Sequence, residues 1–475
     1  MRPSSLATSN EVIDKADFFD KASRENNPSS AASITTSSGS TTSNSVWSPK
    51  ALRPVPAFYP LEKSSRLIDD SLSDVATRLC DCLRILSVHA SYNDDSATAN
   101  LTTAENVEMH LSLWATSRND KIVVELQRRK GCSITFHRYS RYILDAAIGD
   151  FDGKDFGIHG AYIDCAYSKK VERMLSRQVR DFSQSEEENA VIAIEIAHGL
   201  LMKDRMDARQ LGLESLCLLT DPRKTGQVTA VIAARVILLG TTMDEESNSL
   251  VFDESPFQEI RETILSLVQF RRIGDEGEFS SASQLDSDDD LGDKDVMQER
   301  EHIGLLHNLA LAVLANALDV MEKLDTFDTE PETSKPRART CSSDMANAFM
   351  QDSQNVTQKD ILSTLISELG KATMKPHNAC LSAKCLRSLL GASKDARLRA
   401  KELGAKAVVL TALDVGVRTH AKLETECKRV EKALTQQTEV EHEEAQEEEH
   451  QDFHEEGNEE EEEEDDELHE QPWRS

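Results

Sequence analysis

The spacing of apolar residues changes twice in the first third of the chain. From Ser64 onward these residues recur every three or four positions, which predicts a helix of about six turns with one buried face. A period of two then marks VEMHLSLW (107–114) and KIVVELQRR (121–129), and SVHASY and ATANLTT are shorter strand candidates. Helical spacing returns after Gly131. The order helix, four antiparallel strands, helix predicts a small α+β domain at 61–150, with two helices on one sheet face. The predicted first helix carries Ile68, Leu72, Val75, Leu79, Leu83 and Leu86, and the second carries Phe136, Tyr139, Ile143, Leu144 and Ala147.

From 163 to 435 the pattern is helical throughout. Apolar stretches such as QVTAVIAARVILLG and IGLLHNLALAVLANALDVM are separated by turn residues at intervals of about 40 residues. Each unit would expose an apolar face that only a neighbouring unit can cover, so the pattern predicts an all-α solenoid. The second stretch approaches membrane-spanning length, but it contains His307, Asn308, Asn316 and Asp319. Because such groups are costly at membrane depth, we expect a buried helix and no transmembrane segment.

Four segments lack the apolar residues that a core requires. Residues 1–60 are rich in Ser, Thr, Asn and Pro, and 274–298 and 327–355 are polar or acidic, so we predict disorder in all three. The fourth, 436–475, is an acidic tail in which like charges favour an extended chain. From Glu439 onward it holds 20 acidic residues and one basic residue, or −19 of the formal charge of −31.

A compact basic segment stands out in this acidic chain. Residues 121–147 contain only two acidic residues, Glu125 and Asp145. Cations facing an anionic membrane contribute roughly 1 kcal/mol each, so the segment predicts a site for anionic phospholipid or for an acidic protein. A solvated strand end and helix face is the other interpretation, and the sequence leaves it open. The candidate anion-binding residues are Lys121, Arg128, Arg129, Lys130, Arg138 and Arg141.

The same segment carries a family resemblance. VELQRRKGCSITFHRYSRYIL resembles the kinase-associated 1 domain, in which a strand ends in a basic pair, a Gly follows and a helix opens on a Phe. The matching positions here are Arg128, Arg129, Gly131 and Phe136. The resemblance covers about 64–147, although no kinase domain precedes it. It implies a helix–sheet–helix fold whose basic residues bind anionic phospholipids.

The helical region has a second resemblance. RAKELGAKAVVLTALDVG is similar to the last helix of an armadillo repeat, with Leu403, Gly404 and Ala405 at the step into that helix. PHNACLSAKCLRSLL supplies the helix before it. The resemblance implies a solenoid that binds proteins and performs no chemistry.

The sequence indicates no reaction. Residues 155–157 spell DFG, but Tyr139 stands where a kinase would have its catalytic Asp after His137 and Arg138. Nine cysteines without a CxxC pair predict reduced thiols in a cytoplasmic or nuclear protein. We therefore expect no catalytic residues, no cofactor, no metal site and no nucleic-acid partner. An enzyme with an unfamiliar site is the alternative from another class, and no cluster in the sequence suggests one.

These features predict a non-enzymatic adaptor or scaffold. Its protein partners would bind the solenoid, and the basic face would bind anionic lipid or protein. The acidic tail suggests an alternative, a chaperone-like binder of basic proteins such as histones. Ser283 and Ser287 are each followed by acidic residues and are candidate phosphorylation sites.

The acidic tail is also a rival anion for the basic segment. We expect it to compete with outside partners, so deleting residues 439–475 should strengthen binding to anionic vesicles or to an acidic partner. Co-sedimentation at about 0.1 M salt, where charges separated by more than about 10 Å are screened, measures this. Binding that is unchanged by the deletion would contradict the hypothesis.

Overall fold

The computed structural model describes residues 47–116, 121–153, 183–242, 255–269, 292–324, 342–357 and 359–435. All of them belong to one compact unit, Ser45–Ser475. This unit contains two hydrophobic clusters, one in a small sheet domain and one in the helical region that follows. The predicted combination of an antiparallel-sheet domain and a mostly helical region is confirmed at this level.

The sheet domain has one six-stranded sheet. Its strands are β1 Arg53–Pro54, β2 Ser65–Ile68, β3 His89–Asn93, β4 Thr98–Thr102, β5 Glu108–Ala115 and β6 Ile122–Lys130. They lie in the order β2-β6-β5-β4-β3 with antiparallel neighbours, and β1 pairs in parallel with β5. The four strands predicted from the period of two correspond to β3 to β6.

Two helices bury the apolar face of this sheet. Helices α1 (Leu72–Leu86) and α2 (Ser133–Ile148) share a hydrophobic cluster with alternate residues of the strands. The placement of Ile68 on the first helix was wrong. Ser71 accepts a hydrogen bond from the backbone of Asp74 and so starts α1 at Leu72. Ile68 lies on β2 instead, opposite Ile122.

The described structure includes residues that the pattern predicted to be disordered. Trp47 is buried and stacks on Tyr92 with ring centroids 5.3 Å apart. The backbone N–H of Val55 donates to the carbonyl of Ala115, and Tyr59 packs against Trp114. Residues 47–60 were therefore wrongly included in the predicted disordered segment. They carry apolar residues with neither a helical nor a strand period, so only their tertiary contacts show that they are ordered.

Twelve helices follow within the described residues. Their bounds are α3 Ser183–Leu201, α4 Met206–Leu219, α5 Pro222–Thr225, α6 Gln227–Leu239, α7 Ser255–Val268, α8 Gly292–Leu324, α9 Ser342–Thr357, α10 Ile361–Leu369, α11 Pro376–Ala392, α12 Lys394–Glu402, α13 Ala405–Thr419 and α14 421–435.

Two of these helices correct the predicted disorder. The start of α8 covers 292–298, and α9 covers 342–355, and both segments were predicted to be disordered. Helix α9 forms because Ala346 and Phe349 are spaced to enter the core, where both are fully buried.

Helix α8 lies at the centre of the helical region and packs against α4, α6, α7 and α11. Within the described residues, Glu301–Lys323 is the one helical stretch long and apolar enough to cross a membrane by length and composition, and 56% of its most apolar window is buried here. Two of its polar side chains serve contacts between helices. His307 Nδ1 lies 2.8 Å from the Leu267 carbonyl, and Asn308 Nδ2 donates to Asn378 at 2.9 Å.

The sheet domain packs against helices that are distant in sequence. Helix α1 contacts α13, and Arg84 on α1 donates to the Val417 carbonyl at 2.6 Å. Arg84 also forms an ion pair of 3.0 Å with Glu424 on α14. At the end of α1, the Ser87 hydroxyl accepts the backbone N–H of Lys422 at 2.9 Å. The sheet domain is therefore held by α13 and α14, the helices farthest from it along the described chain.

Gly131, at the turn between β6 and α2, packs closely against the segment between β4 and β5 within the sheet domain. Its φ is +95°, and an added Cβ would lie 2.7 Å from the Asn106 carbonyl and 2.8 Å from Val107 Cα. Gly149 has a similar φ of +91°, but no atom lies within 4 Å of its would-be Cβ. Because backbone atoms must shift, Gly131→Ala should lower the free energy of unfolding by about 1–3 kcal/mol more than Gly149→Ala. Urea denaturation measures both, and equal losses would contradict the prediction.

Candidate functional site

The six predicted cations do not form a single patch. Lys121 immediately precedes β6 and is half-buried, whereas Lys130 is the last residue of this nine-residue strand. At ~3.3 Å per residue, these two side chains are separated by most of the length of the sheet. The other five candidates, Arg128, Arg129, Lys130, Arg138 and Arg141, are exposed at the end of β6 and along α2.

Four of the six predicted cations, including Lys121, are paired with carboxylates. Glu105, Glu108 and Glu301 come from other parts of the chain and pair with Lys130 and Arg138. Counting only the acidic residues inside the basic segment therefore gave too low a value for the local negative charge. Exposed pairs of this kind are worth about 0–1 kcal/mol, but they neutralise much of the surface. The pairs are Lys121–Asp69 at 3.8 Å, Lys130–Glu108 at 3.9 Å, Lys130–Glu301 at 3.8 Å, Arg138–Glu105 at 3.1 Å and Arg141–Asp145 at 3.8 Å.

Arg128 and Arg129 differ from the other four. Within the described part of the chain, neither forms an ion pair, and Arg128 donates to the Gly131 carbonyl at 2.7 Å. Arg129 is the extra residue of a β-bulge, because Met109 pairs with Arg128 while Glu108 pairs with Lys130. A bulge twists its strand and redirects a side chain. The structure thus distinguishes Arg129 from its neighbours in a way that the sequence could not.

The sheet face opposite the helices holds a buried carboxylate. Glu125 is 0% exposed and accepts hydrogen bonds from the Tyr59 hydroxyl at 3.1 Å, the Glu62 backbone at 2.8 Å and Trp114 Nε1 at 3.3 Å. Burial raises the pKa of Tyr59, and the nearby Glu125 raises it further. Two of the three donors come from residues 53–62, which we call the strap. The strap is therefore fixed across this face of the sheet.

An arginine and a histidine on this face were missed by the sequence analysis. Arg53, on the strap, places its guanidinium 5.3 Å from the centre of the Trp114 ring. His110 on β5 has Nδ1 2.8 Å from Asn100 Oδ1. Burial lowers the pKa of His110, and the charges of Arg129 and Arg53 lower it further. The Glu125 carboxylate raises the pKa of His110 and so opposes them, with a larger effect than that of Arg53.

A histidine pair lies at the junction between the sheet domain and the helical region. His377 Nε2 donates to the Thr102 carbonyl at 2.9 Å, and His420 Nε2 donates to His377 Nδ1 at 3.1 Å. His420 Nδ1 then accepts the backbone N–H of Leu423 at 3.1 Å. This chain of donors and acceptors requires both rings to be neutral. Burial lowers the pKa of His377 to about 4 and that of His420 to about 3.

Metal-binding and reactive groups are sparse in the described residues. Among them, no group of three or more His, Cys, Asp and Glu side chains is placed to hold a metal. Burial raises the pKa of the Cys380 and Cys385 thiols to about 12. The exposed thiol of Cys132 has a lowered pKa because it accepts hydrogen bonds at the start of α2, first from Thr135. Ser283, Ser287 and the acidic tail lie outside the described residues.

Comparison with protein-family models, with curated proteins and with solved structures gives no match. The fold and its surfaces define the chain as a small antiparallel-sheet domain joined to a helical region. Its binding properties are therefore derived from its own side chains.

The lowered pKa values of the histidine pair predict that the free energy of unfolding falls at acid pH. Each pKa is lower in the folded state than the ordinary value of about 6.5, so the stabilisation is complete above that pH and is lost as pH falls toward 4. For the buried His420, the loss between pH 7 and pH 5 should be on the order of 2 kcal/mol. Urea unfolding measured from pH 8 to pH 4.5 tests this.

The variant His377→Gln/His420→Gln should have a flatter pH dependence, whereas His137→Gln, which changes an exposed histidine, should keep the wild-type slope. A double variant with the wild-type slope would assign the acid sensitivity to other groups.

Proposed function

We propose that the chain is a non-enzymatic adaptor that binds protein partners through its helical region, while the sheet domain supplies a second, anion-binding contact. The observation that carries this proposal is the exposed apolar surface of α3 and α4. Ile192 and Ile196 are 52% and 62% exposed, and Leu211 and Leu218 are exposed as well. Clusters of exposed large apolar side chains mark interaction sites more often than isolated ones do.

These residues place two exposed apolar side chains on one face of each helix. Ile192 and Ile196 are four residues apart and therefore adjacent on the surface of α3. Leu211 and Leu218 are seven apart, or about two turns, on one face of α4. The two helices lie close together, because a Cβ on Gly212 would be 3.0 Å from the Ala197 carbonyl. Their backbones thus form a firm base for side chains that face solvent.

The resemblance to armadillo repeats agrees with this function. Leu403, Gly404 and Ala405 lie at the turn between α12 and α13, and Gly404 has a φ of +70°, which suits glycine at such a turn. Helices α11, α12 and α13 supply three successive helices around this step. We propose that they form an armadillo-like unit and that the helical region is a protein-binding solenoid in a cytoplasmic or nuclear protein.

The resemblance of the sheet domain to the kinase-associated 1 domain implies phospholipid binding, which depends on how many of its cations are unpaired. Phe136 is buried and Gly131 has a φ of +95°, as a strand–Gly–helix motif requires. Of the six cations, however, only Arg128 and Arg129 lack an ion pair within the described residues. At roughly 1 kcal/mol per cation, two cations give weak membrane attraction, whereas six would have been sufficient for docking. A protein partner is therefore favoured over a lipid surface.

The double substitution Ile192→Asp/Ile196→Asp tests the adaptor function. It should reduce the capture of protein partners at least tenfold, because two charges would have to be buried in the contact. Quantitative affinity capture with mass spectrometry compares it with the wild-type chain. Met374→Asp/Leu398→Asp is the matched control, because both side chains are also exposed and the pair adds the same charge outside α3 and α4.

All of these variants should unfold within about 0.5 kcal/mol of the wild type, since they change exposed positions. Capture that is equal in the double variant and in the control would exclude α3 as the contact.

A further inference from the structure

We propose that the outer face of α3 binds a basic amphipathic helix of the partner protein. This inference rests on the proposed function, because it names the chemistry of the partner that the exposed apolar surface of α3 receives. The outer face consists of two isoleucines and two glutamates on neighbouring turns of the helix, namely Glu188, Ile192, Glu195 and Ile196.

Helical spacing brings these four side chains together. The other three each lie three or four positions from Ile192, so all of them adjoin it on the surface of α3. All four are exposed. The opposite side of the helix packs into the helical region and supplies the buried residues Ala190, Val191, Ile194, Ala197 and Leu201. The outer face is therefore not used by the packing of α3 within the described residues.

The charge of α3 is negative along its whole length. The helix contains four glutamates and no Lys or Arg, and none of the four forms an ion pair within the described residues. The cations of the following turn are engaged by acids of that turn, since Arg205 pairs with Asp207 at 2.6 Å and Arg209 with Asp204 at 3.7 Å. Complementary charge selects partners and speeds their encounter, so the outer face favours a cationic partner.

The order of charged and apolar positions indicates that the partner element is a helix. Glu188 and Glu195 are seven positions apart, so they lie on the same edge of the stripe that Ile192 and Ile196 form. Paired helices use this arrangement, with an apolar seam and flanking charges that choose the partner. An amphipathic helix with Lys or Arg beside its own apolar stripe is the matching element.

Gly199 allows such a helix to approach closely. It lies three positions after Ile196 on the outer face, and no atom lies within 4 Å of the position that its Cβ would occupy. A backbone can come nearer to glycine than to any other residue. From Glu188 to Gly199 the outer face is roughly 16 Å long at about 1.5 Å per residue, or three turns of a partner helix.

Helix α4 repeats the same combination on its exposed side. Leu211, Glu214 and Leu218 are exposed and are separated by three and four positions. Gln210 donates to Glu214 at 2.7 Å, a contact with a neutral group that leaves the charge of the carboxylate in place. Both helices with exposed apolar residues therefore suit one partner chemistry, apolar and basic.

The probe is a synthetic peptide of about 18 residues, or five helical turns, with Leu at helical spacing and Lys beside the Leu stripe. Fluorescence anisotropy at about 0.1 M salt measures its binding to the purified full-length chain. One comparison peptide has the same composition in an order without an apolar stripe, and the other has Glu in place of every Lys. The probe should bind at least roughly tenfold more tightly than either.

Two substitutions on the apolar stripe separate a seated helix from attraction by charge alone. Ile192→Asp/Ile196→Asp should weaken probe binding at least roughly tenfold, because the apolar contact is lost although two negative charges are added. Attraction to the acidic tail would not be weakened by added negative charge. The control Met374→Asp/Leu398→Asp adds the same charge elsewhere and should stay within about twofold of the wild type.

Charge reversal tests the flanking glutamates. Glu188→Lys/Glu195→Lys should weaken probe binding roughly tenfold at about 0.1 M salt and much less at about 1 M, where the charges are screened. The control Asp81→Lys/Asp150→Lys reverses two exposed acids of the sheet domain and should stay within about threefold of the wild type.

Equal binding of the probe and of the peptide without a stripe would overturn the proposal, as would an Ile192/Ile196 double variant that binds the probe like the wild type. A dimer that this variant abolishes in sedimentation analysis, without probe binding, would overturn it in favour of a second copy of the chain. Residues 168–182 precede α3, contain five Lys or Arg and lie outside the described residues. Tighter probe binding by Val171→Asp/Leu175→Asp, at least roughly tenfold, would overturn it in favour of that segment.

Capture of partner proteins distinguishes this inference from the adaptor function. If the probe fails to bind while capture still depends on Ile192 and Ile196, only the basic amphipathic partner is rejected. If capture is also independent of these two residues, the contact on α3 is rejected as well.

Discussion

The burial of the Glu125 carboxylate fixes the path of the strap across the sheet face opposite α1 and α2. A buried carboxylate costs several kcal/mol unless it is hydrogen-bonded or paired with a charge. The sheet supplies one donor, from Trp114, and the strap supplies two, from Tyr59 and Glu62. The strap is therefore held where the carboxylate needs it. Arg53 and Tyr59 take their places against Trp114 of β5 as a result of that contact.

The two hydrophobic clusters are joined by polar contacts. The junction consists of neutral histidines, the Ser87 hydroxyl and a half-buried ion pair between Arg84 and Glu424. Such contacts need defined geometry, so they hold the sheet domain in one orientation against the last helices.

Local periodicity predicted the elements of the fold, whereas its interfaces depended on the tertiary structure. A period of two placed β3 to β6 correctly, because alternate residues of each strand belong to or pack against the cluster shared with α1 and α2. Ile68 fits the helical spacing of α1, but the cap at Ser71 separates it from that helix. The polar surroundings of Phe349 concealed α9.

The candidate site was predicted only in part, for a related reason. Counting charges along 121–147 identified Arg129, but the carboxylates that neutralise its neighbours come from distant positions such as Glu105 and Glu301. Arg53 reaches the Trp114 ring through the path of the strap, and His110 lies beside Asn100 through strand pairing. These relations depend on the register of the sheet, which no single stretch of sequence contains.

The docking of α1 onto α14 also has a consequence for biosynthesis. Arg84 and Glu424 are 340 positions apart. At about 5–20 residues per second, a ribosome needs roughly 20–70 s to make the chain between them. During that interval the nascent sheet domain must persist without its docking helices, with Ser87 and the Thr102 carbonyl facing water.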